Sequence, residues 1–138
     1  MRPEALEALR GCSRIVHGGD IGTPDVLAAL RAIAPVTAVR GNNDRGAWAD
    51  GIPETAVLEV GGARVFVIHD LAQLAVDPAA EGHAAVISGH SHKPLVKEAG
   101  GVLYVNPGAA GPRRFKLPIS LGFLEVKRGR VSARLMQL

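Results

Sequence analysis

The N-terminal part of the chain alternates between helical and extended spacing of its hydrophobic positions. Pro3 suits the first turn of a helix, Leu6 and Leu9 share one face of it, and Gly11 is a natural stop. Thr23 is predicted to cap a second helix with its hydroxyl group. The predicted order is helix, strand, helix and strand, at residues 3–11, 13–17, 23–35 and 36–39. Because each strand leads into a loop rich in Gly, Asn and Asp, this alternation predicts a parallel α/β sheet.

The rest of the chain carries mainly strand patterns. Apolar runs at residues 55–60 and 64–68 flank Gly61-Gly62 and predict a β-hairpin. Further strands are predicted at residues 84–87, 102–105, 119–126 and 131–135, the last two joined by a turn near Arg128-Gly129. The pattern therefore predicts a mixed α/β fold, parallel first and antiparallel later. Without an internal repeat, low-complexity tract or linker, residues 1–138 are expected to form one domain.

Polar residues that can bind metal ions follow four of the predicted strands. They are Asp20, Asn42-Asn43-Asp44, His69-Asp70 and His90-Ser91-His92. In open α/β sheets, binding sites form outside the carboxyl ends of the strands. Carboxylate, amide oxygen and imidazole ligands converging there would suit Mn²⁺, Fe, Zn²⁺ or Ni²⁺.

Each of these groups also has a purely structural interpretation. Asp20 and Asn42 could serve turns, and a single His69 after an apolar strand is more often a satisfied buried imidazole. The pair His90 and His92 is more specific, because alternate residues of an extended segment point the same way and can share metals. The four loops together favour the metal site.

Two other histidines lack such neighbours. His17 precedes the Gly-Gly-Asp turn and is interpreted as structural support for that loop. His83 is interpreted as a surface residue.

Composition and charge narrow the class of protein further. The chain has 138 residues, of which 47% are hydrophobic and 21% are charged, as in an ordinary globular protein. No apolar run approaches the ~20 residues of a spanning helix, the first residues do not form a signal peptide, and Cys12 is the only cysteine. We therefore expect a cytoplasmic protein with no membrane association. A net charge of +3 is a weak excess, so we do not expect a dedicated nucleic-acid binder.

The order of the motifs resembles that of the calcineurin-like metallophosphoesterases, and most of all their small bacterial and archaeal phosphodiesterases, the YfcE-like group. The motifs are Gly19-Asp20, Gly41-Asn42-Asn43-Asp44, His69, Gly89-His90-Ser91-His92, Asn106-Pro107-Gly108 and Pro112-Arg113. The resemblance covers nearly the whole chain. It implies a four-layer α/β/β/α sandwich with mixed sheets.

The resemblance also implies a two-metal site, with manganese as the first choice. Asp20 would bridge the ions, Asn42, His69 and His90 would complete the second site, and His92 would belong to the first. It places Asn42, Asn43 and His69 at the catalytic centre, where a metal-activated hydroxide attacks phosphorus in line.

Three features depart from the family pattern. Many relatives have His at the position of Asn43, and an amide has no proton that titrates near pH 7. This points to substrates with good leaving groups or to metal-bound water as the proton source. Asp70 stands where Gly is common, and it could either hydrogen-bond a metal ligand or cap the following segment. The family's first strand, which ends in Asp-x-His, has no counterpart here, so the first metal site is expected to be impaired.

A missing first strand would leave an apolar gap with unpaired backbone groups. The expected explanations are a start codon assigned too late, a deliberately shortened chain, or a partner chain, including a second copy in a homo-oligomer, that covers the gap.

The resulting expectation is a metal-dependent phosphodiesterase that hydrolyses small or nucleotide-like phosphodiesters. Arg113 and Arg114 are candidates for binding the substrate phosphate, although such residues more often form a solvated rim. The alternative is a catalytically weak or inactive scaffold, because the same fold serves in eukaryotes as a retromer subunit.

Overall fold

The computed structural model describes residues 2–111 and 119–138. The helices are α1 (Pro3–Ala8), α2 (Pro24–Arg31) and α3 (Ala47–Asp50), and one turn of 3₁₀ helix spans Leu71–Gln73. The strands are β1 (Ile15–His17), β2 (Val36–Ala38), β3 (Thr55–Val60), β4 (Ala63–Ile68), β5 (Ala85–Ile87), β6 (Leu95–Ala99), β7 (Val102–Asn106), β8 (Ser120–Lys127) and β9 (Arg130–Gln137).

The largest sheet has the strand order β3-β4-β5-β7-β6. Its inner strands β4, β5 and β7 run parallel, and the edge strands β3 and β6 are antiparallel to their neighbours. Two smaller units accompany it: β1 pairs in parallel with β2, and β8 forms an antiparallel hairpin with β9. β1, β4 and β5 each belong to a parallel pair. The loop that follows each of them therefore lies at an edge where the carboxyl ends of strands meet.

The core lies between the large sheet and these smaller units. Its buried centre is aliphatic and consists of Val39, Val65, Val67, Ala85 and Ile87. Val16 of β1, Leu124 of β8 and Val131 of β9 pack against that centre from the second sheet layer. Burial of aliphatic side chains at about 25 cal/mol per Å² is what holds the two sheet layers together in a chain with few aromatic residues.

Helices cover the outer face of the β1–β2 unit. Leu6 and Leu9 from the N-terminal helical segment and Leu30 of α2 pack around Ile15. The far face of the large sheet carries a second buried cluster, Phe66, Ile68, Val86 and Val102, which Leu74 contacts from the segment after β4. The layers are therefore helix, sheet and sheet, with the post-β4 segment over the last face. The mixed α/β fold predicted from the sequence is confirmed.

The hairpin predicted around Gly61-Gly62 is also confirmed. These two residues join β3 to β4, and both have positive φ, 56° and 82°. Two consecutive residues with positive φ are typical of the two-residue turns that match the twist of paired strands.

Other local predictions were wrong. Thr23 stands at the N-cap of α2, but its side chain makes no capping hydrogen bond. Strand β6 was not predicted, because all five of its residues are exposed at the sheet edge and the segment lacks alternation. The later strands were expected to be antiparallel, but β7 pairs in parallel with β5 and lies between β5 and β6 in the large sheet.

His83 is also a correction. It was expected at the surface, yet it is buried with 6% of its area exposed and its ring lies 5.2 Å from that of Phe66.

Among the helices of the described residues, none is long and apolar enough to cross a membrane.

Candidate metal centre

Three loops bring a carboxylate and two imidazoles together at the carboxyl ends of parallel strands. Asp20 follows β1, His69 directly follows β4, and His90 follows β5. One potential ligand atom from each residue lies within 4.8 Å of the other two. This is the convergence that the sequence predicted for strand-end loops.

The distances within the cluster are short and nearly equal. His69 Nε2 lies 3.3 Å from Asp20 Oδ2, and His90 Nδ1 lies 3.3 Å from the same His69 nitrogen. The two rings meet edge to face, with their planes 83° apart. The side chain of His69 is 6% exposed and that of Asp20 14%, whereas His90 is 45% exposed. The cluster is therefore anchored in the interior and open on the side of His90.

A hydrogen bond on the opposite side of the ring determines which nitrogen of His69 carries the proton. His69 Nδ1 lies 2.7 Å from the carbonyl oxygen of Gly18. A carbonyl only accepts, so Nδ1 donates, and Nε2 of the neutral ring presents a lone pair. That lone pair faces an oxygen of Asp20 and a nitrogen of His90. When Nδ1 of His90 is also unprotonated, three electron-pair donors face one another and a cation stabilises them, so the residues present fit a divalent metal ion.

The backbone at the candidate ligands is unusual. Asp20, His90 and His92 have φ of 56°, 66° and 60°. In the described part of the chain, Arg128 in the β8–β9 turn is the one other non-glycine residue with positive φ. Left-handed conformations are unfavourable for side-chain-bearing residues and are concentrated at functional sites.

Two glycines allow the loops to approach the cluster. A Cβ atom at Gly19 would overlap Nδ1 of His69, and one at Gly41 would overlap the backbone nitrogen of Asp20. Only a residue without a side chain fits at either position.

His17 supports the Asp20 loop, as predicted. Its Nδ1 accepts a hydrogen bond from the backbone N–H of Gly19 at 3.1 Å. Burial lowers the pKa of His17, while the carboxylates of Asp44 and Asp20 act in the opposite direction. The neutral ring is the form that can accept from Gly19, so burial and this hydrogen bond agree.

Of the two roles left open by the sequence, Asp70 performs that of the cap. Its Oδ1 accepts from the backbone N–H of Ala72 at 3.1 Å and caps the 3₁₀ turn. Its Oδ2 lies 3.9 Å from Nε2 of His90, which is close enough for electrostatic attraction but too far for a hydrogen bond.

The remaining predicted site residues occupy different positions. Asn42 and Asn43 have exposed side chains, and the backbone N–H of Asn43 donates to Asp20 Oδ1 at 2.9 Å. His92 lies outside the three-residue cluster. Its predicted pairing with His90 assumed an extended segment, and this assumption was wrong, because both residues adopt left-handed backbone conformations. Arg113 and Arg114 lie outside the described residues.

A carboxylate–imidazole cluster at the strand ends of a two-layer β structure could hold a metal ion, and it has the ligand types and the location of the metal sites of α/β metalloenzymes. Comparison with known proteins gives the family. Residues 1–129 match the calcineurin-like phosphoesterase superfamily domain, and the chain belongs to that superfamily. The sequence is 36% identical over 115 residues to a probable metallophosphoesterase of Methanothermobacter thermautotrophicus, a match that covers 78% of this chain.

Solved structures show the same fold. An archaeal phosphodiesterase superposes with a TM-score of 0.77 at 21% identity, covering 96% of this chain and 90% of its own. A Vps29 from Entamoeba histolytica, solved in complex with Zn²⁺, superposes with a TM-score of 0.74 at 24% identity, covering 97% and 86%. The chain spans 66% of the length of its Methanothermobacter relative.

Proposed function

We propose that this chain is a metal-dependent phosphoesterase that acts as a phosphodiesterase on small or nucleotide-like substrates. The observation that carries the proposal is the orientation of His69. Its Nδ1 is committed to the Gly18 carbonyl, which leaves Nε2 facing Asp20 and His90 at 3.3 Å each. A cation is the group that such an arrangement of lone pairs would bind, and the family supplies the phosphoester chemistry.

Asp20, His69 and His90 would hold the metal ion, with Asn42 as a further ligand from the neighbouring loop. A divalent ion there would supply Lewis acidity toward a phosphoryl oxygen and lower the pKa of water near phosphorus. The neutral amide of Asn43 would hydrogen-bond the substrate without exchanging a proton. The substrates best suited to this site are therefore phosphodiesters with good leaving groups.

Of the two metal sites that the family resemblance implies, we propose that the one formed by Asp20, Asn42, His69 and His90 is occupied first. Three of these residues already converge in the fold. Mixed oxygen and nitrogen ligands suit Mn²⁺ as well as Fe, Zn²⁺ and Ni²⁺. We propose Mn²⁺ as the working ion, and His92 as a ligand of the other site.

The experiment that tests this function is hydrolysis of bis(4-nitrophenyl) phosphate with and without Mn²⁺. We expect Mn²⁺-stimulated release of nitrophenol that a chelator abolishes. Asp20→Ala and His69→Ala should each reduce it to background, because each removes a ligand. Asp50→Ala changes an exposed carboxylate at the end of α3 and serves as the matched control. Activity that survives both ligand substitutions would show that this cluster is not the active site.

The alternative function is that of a non-catalytic interaction scaffold, and the structural similarity to Vps29 favours it. The same assay separates the two, provided that Mn²⁺ binding is measured in parallel by calorimetry. Metal binding without any hydrolysis, in this chain and in a version extended by an upstream Asp-x-His strand, would favour the scaffold. Hydrolysis that increases in the extended version would favour the enzyme.

For either function we propose a cytoplasmic location, in keeping with the single free Cys12.

A further inference from the structure

Asp44 is a buried carboxylate beside the candidate metal centre that is not a member of the cluster. It is 5% exposed, and both of its oxygens accept hydrogen bonds from backbone N–H groups. Oδ1 accepts from Gly22 at 3.0 Å, and Oδ2 accepts from Gly41 at 2.8 Å. A buried carboxylate is costly unless it is bonded in this way, so its contacts specify where it sits.

The two N–H groups belong to different loops. Gly22 lies two residues after Asp20 in the loop that follows β1, and Gly41 lies just before Asn42 in the loop after β2. A bond in the opposite direction joins the same loops, because the N–H of Asn43 donates to Asp20 Oδ1 at 2.9 Å. The buried Asp44 thus accepts a hydrogen bond from the loop of Asp20, and Asp20, which belongs to the cluster, accepts one from the loop of Asp44.

This connection bears directly on the conformation of Asp20. Asp20 has a φ of 56°, a left-handed backbone that a non-glycine residue keeps only where its surroundings impose it. The bond from Gly22 to Asp44 fixes the chain on one side of Asp20. The bond from Gly19 to His17 fixes it on the other.

We propose that Asp44 is a positioning residue that sets the metal affinity of the cluster by holding Asp20 in its ligating conformation and the Asn42 loop beside it. The metal in this inference depends on the proposed function, whereas the positioning role is argued from the hydrogen bonds alone. Asp44 is not among the three residues whose ligand atoms converge, and its two oxygens instead accept from backbone N–H groups of the loops that it joins.

The test is Asp44→Asn, which preserves size but leaves one oxygen. The new amide can accept from either Gly22 or Gly41, and it presents its NH₂ group to the other N–H, so one connection is lost. We expect the Mn²⁺ dissociation constant, measured by calorimetry, to rise by about 10- to 100-fold. Asp77→Asn is the matched control, since Asp77 also accepts a backbone N–H, from Ala80 at 3.4 Å, in the turn before β5. Its dissociation constant should equal that of the wild type.

Amide hydrogen exchange gives a second measurement that does not require metal. Asn43 donates to Asp20, so its exchange should accelerate in Asp44→Asn if Asp44 positions Asp20. Unchanged exchange at Asn43 together with unchanged Mn²⁺ affinity would overturn the proposal. Accelerated exchange in a protein that binds no Mn²⁺ even as wild type would uphold the positioning role and contradict the proposed function instead. If Asp44→Asn does not fold, the wild-type amides decide: Gly22 and Gly41 must both be protected, and rapid exchange at either would overturn the proposal.

Discussion

Gly19 lies so close to the ring of His69 that a Cβ atom at position 19 would overlap Nδ1. The same residue has a φ of 102°, which side-chain-bearing residues rarely adopt. We therefore predict that Gly19→Ala lowers the free energy of unfolding by more than the roughly 1–2 kcal/mol of the backbone term alone, because His69 must also move. Mn²⁺ binding should be lost with it. Chemical denaturation and calorimetric titration check the two parts.

Gly11→Ala is the matched control for this prediction. Gly11 has a φ of 88°, yet a Cβ there would meet nothing within 4 Å. The control should show the backbone cost without loss of Mn²⁺ binding. If both substitutions affect Mn²⁺ binding equally, the close approach of Gly19 to His69 has no role in the metal centre.

Asp70 allows its two roles to be separated by substitution. Asp70→Ser retains a side chain that can cap the 3₁₀ turn but removes the carboxylate near His90. Asp70→Ala removes both functions. We predict that Asp70→Ser leaves stability nearly unchanged and weakens Mn²⁺ binding several-fold, because His90, which is 45% exposed, loses the carboxylate that lies 3.9 Å from its Nε2. Asp70→Ala should in addition lower the free energy of unfolding by about 1 kcal/mol. Equal Mn²⁺ affinities in wild type and both variants would mean that Asp70 is only a cap.

The sequence predicted the parts of this fold that local patterns determine. The β3–β4 hairpin follows from alternating apolar runs around Gly61-Gly62, and the positions of Asp20, His69 and His90 follow from the rule that parallel strands bring their ends together. Strand β6 escaped prediction because an exposed edge strand has no buried face and therefore no alternation to detect. The position of β7 between β5 and β6 depends on long-range pairing, which adjacent residues do not encode.

The candidate site was predictable in composition but not in conformation. Histidines two residues apart suggest a shared direction only if the chain is extended, and the left-handed backbone at His90 and His92 depends on how the loop packs. The support given by Asp44 was also not predicted. An acidic residue after Gly-Asn-Asn suggests a metal ligand or a turn, and only the fold shows that its oxygens bond Gly22 and Gly41.

His83, whose burial the sequence did not reveal, allows the cost of its unpartnered ring nitrogen to be measured. Its Nδ1 is buried and has no hydrogen-bond partner among the described residues, and its ring packs on that of Phe66. We predict that His83→Phe raises the free energy of unfolding by about 1 kcal/mol, because it keeps the ring contact and removes an unsatisfied polar atom. His83→Ala should lower it by opening a cavity. If Phe destabilises as much as Ala, the Nδ1 atom makes a hydrogen bond in solution.

Burial gives the metal-free protein a defined dependence on pH. It lowers the pKa of His17 and of His83 below the ordinary 6.5, so below that pH the unfolded chain binds more protons than the folded one. The free energy of unfolding should therefore fall as the pH decreases from 6.5, by at most about 1.4 kcal/mol per pH unit for each histidine.

His17→Asn tests how much His17 contributes to this loss of stability at acid pH. Asn can place an amide oxygen near the position of Nδ1, accept from Gly19 N–H, and remain uncharged at every pH of the experiment. We expect this variant, with chelator present, to lose part of the acid-side slope while keeping its stability near pH 7. Urea denaturation at a series of pH values gives the slope directly. A slope identical to that of the wild type would show that folding does not lower the pKa of His17, and the acid-side loss of stability would then have another source.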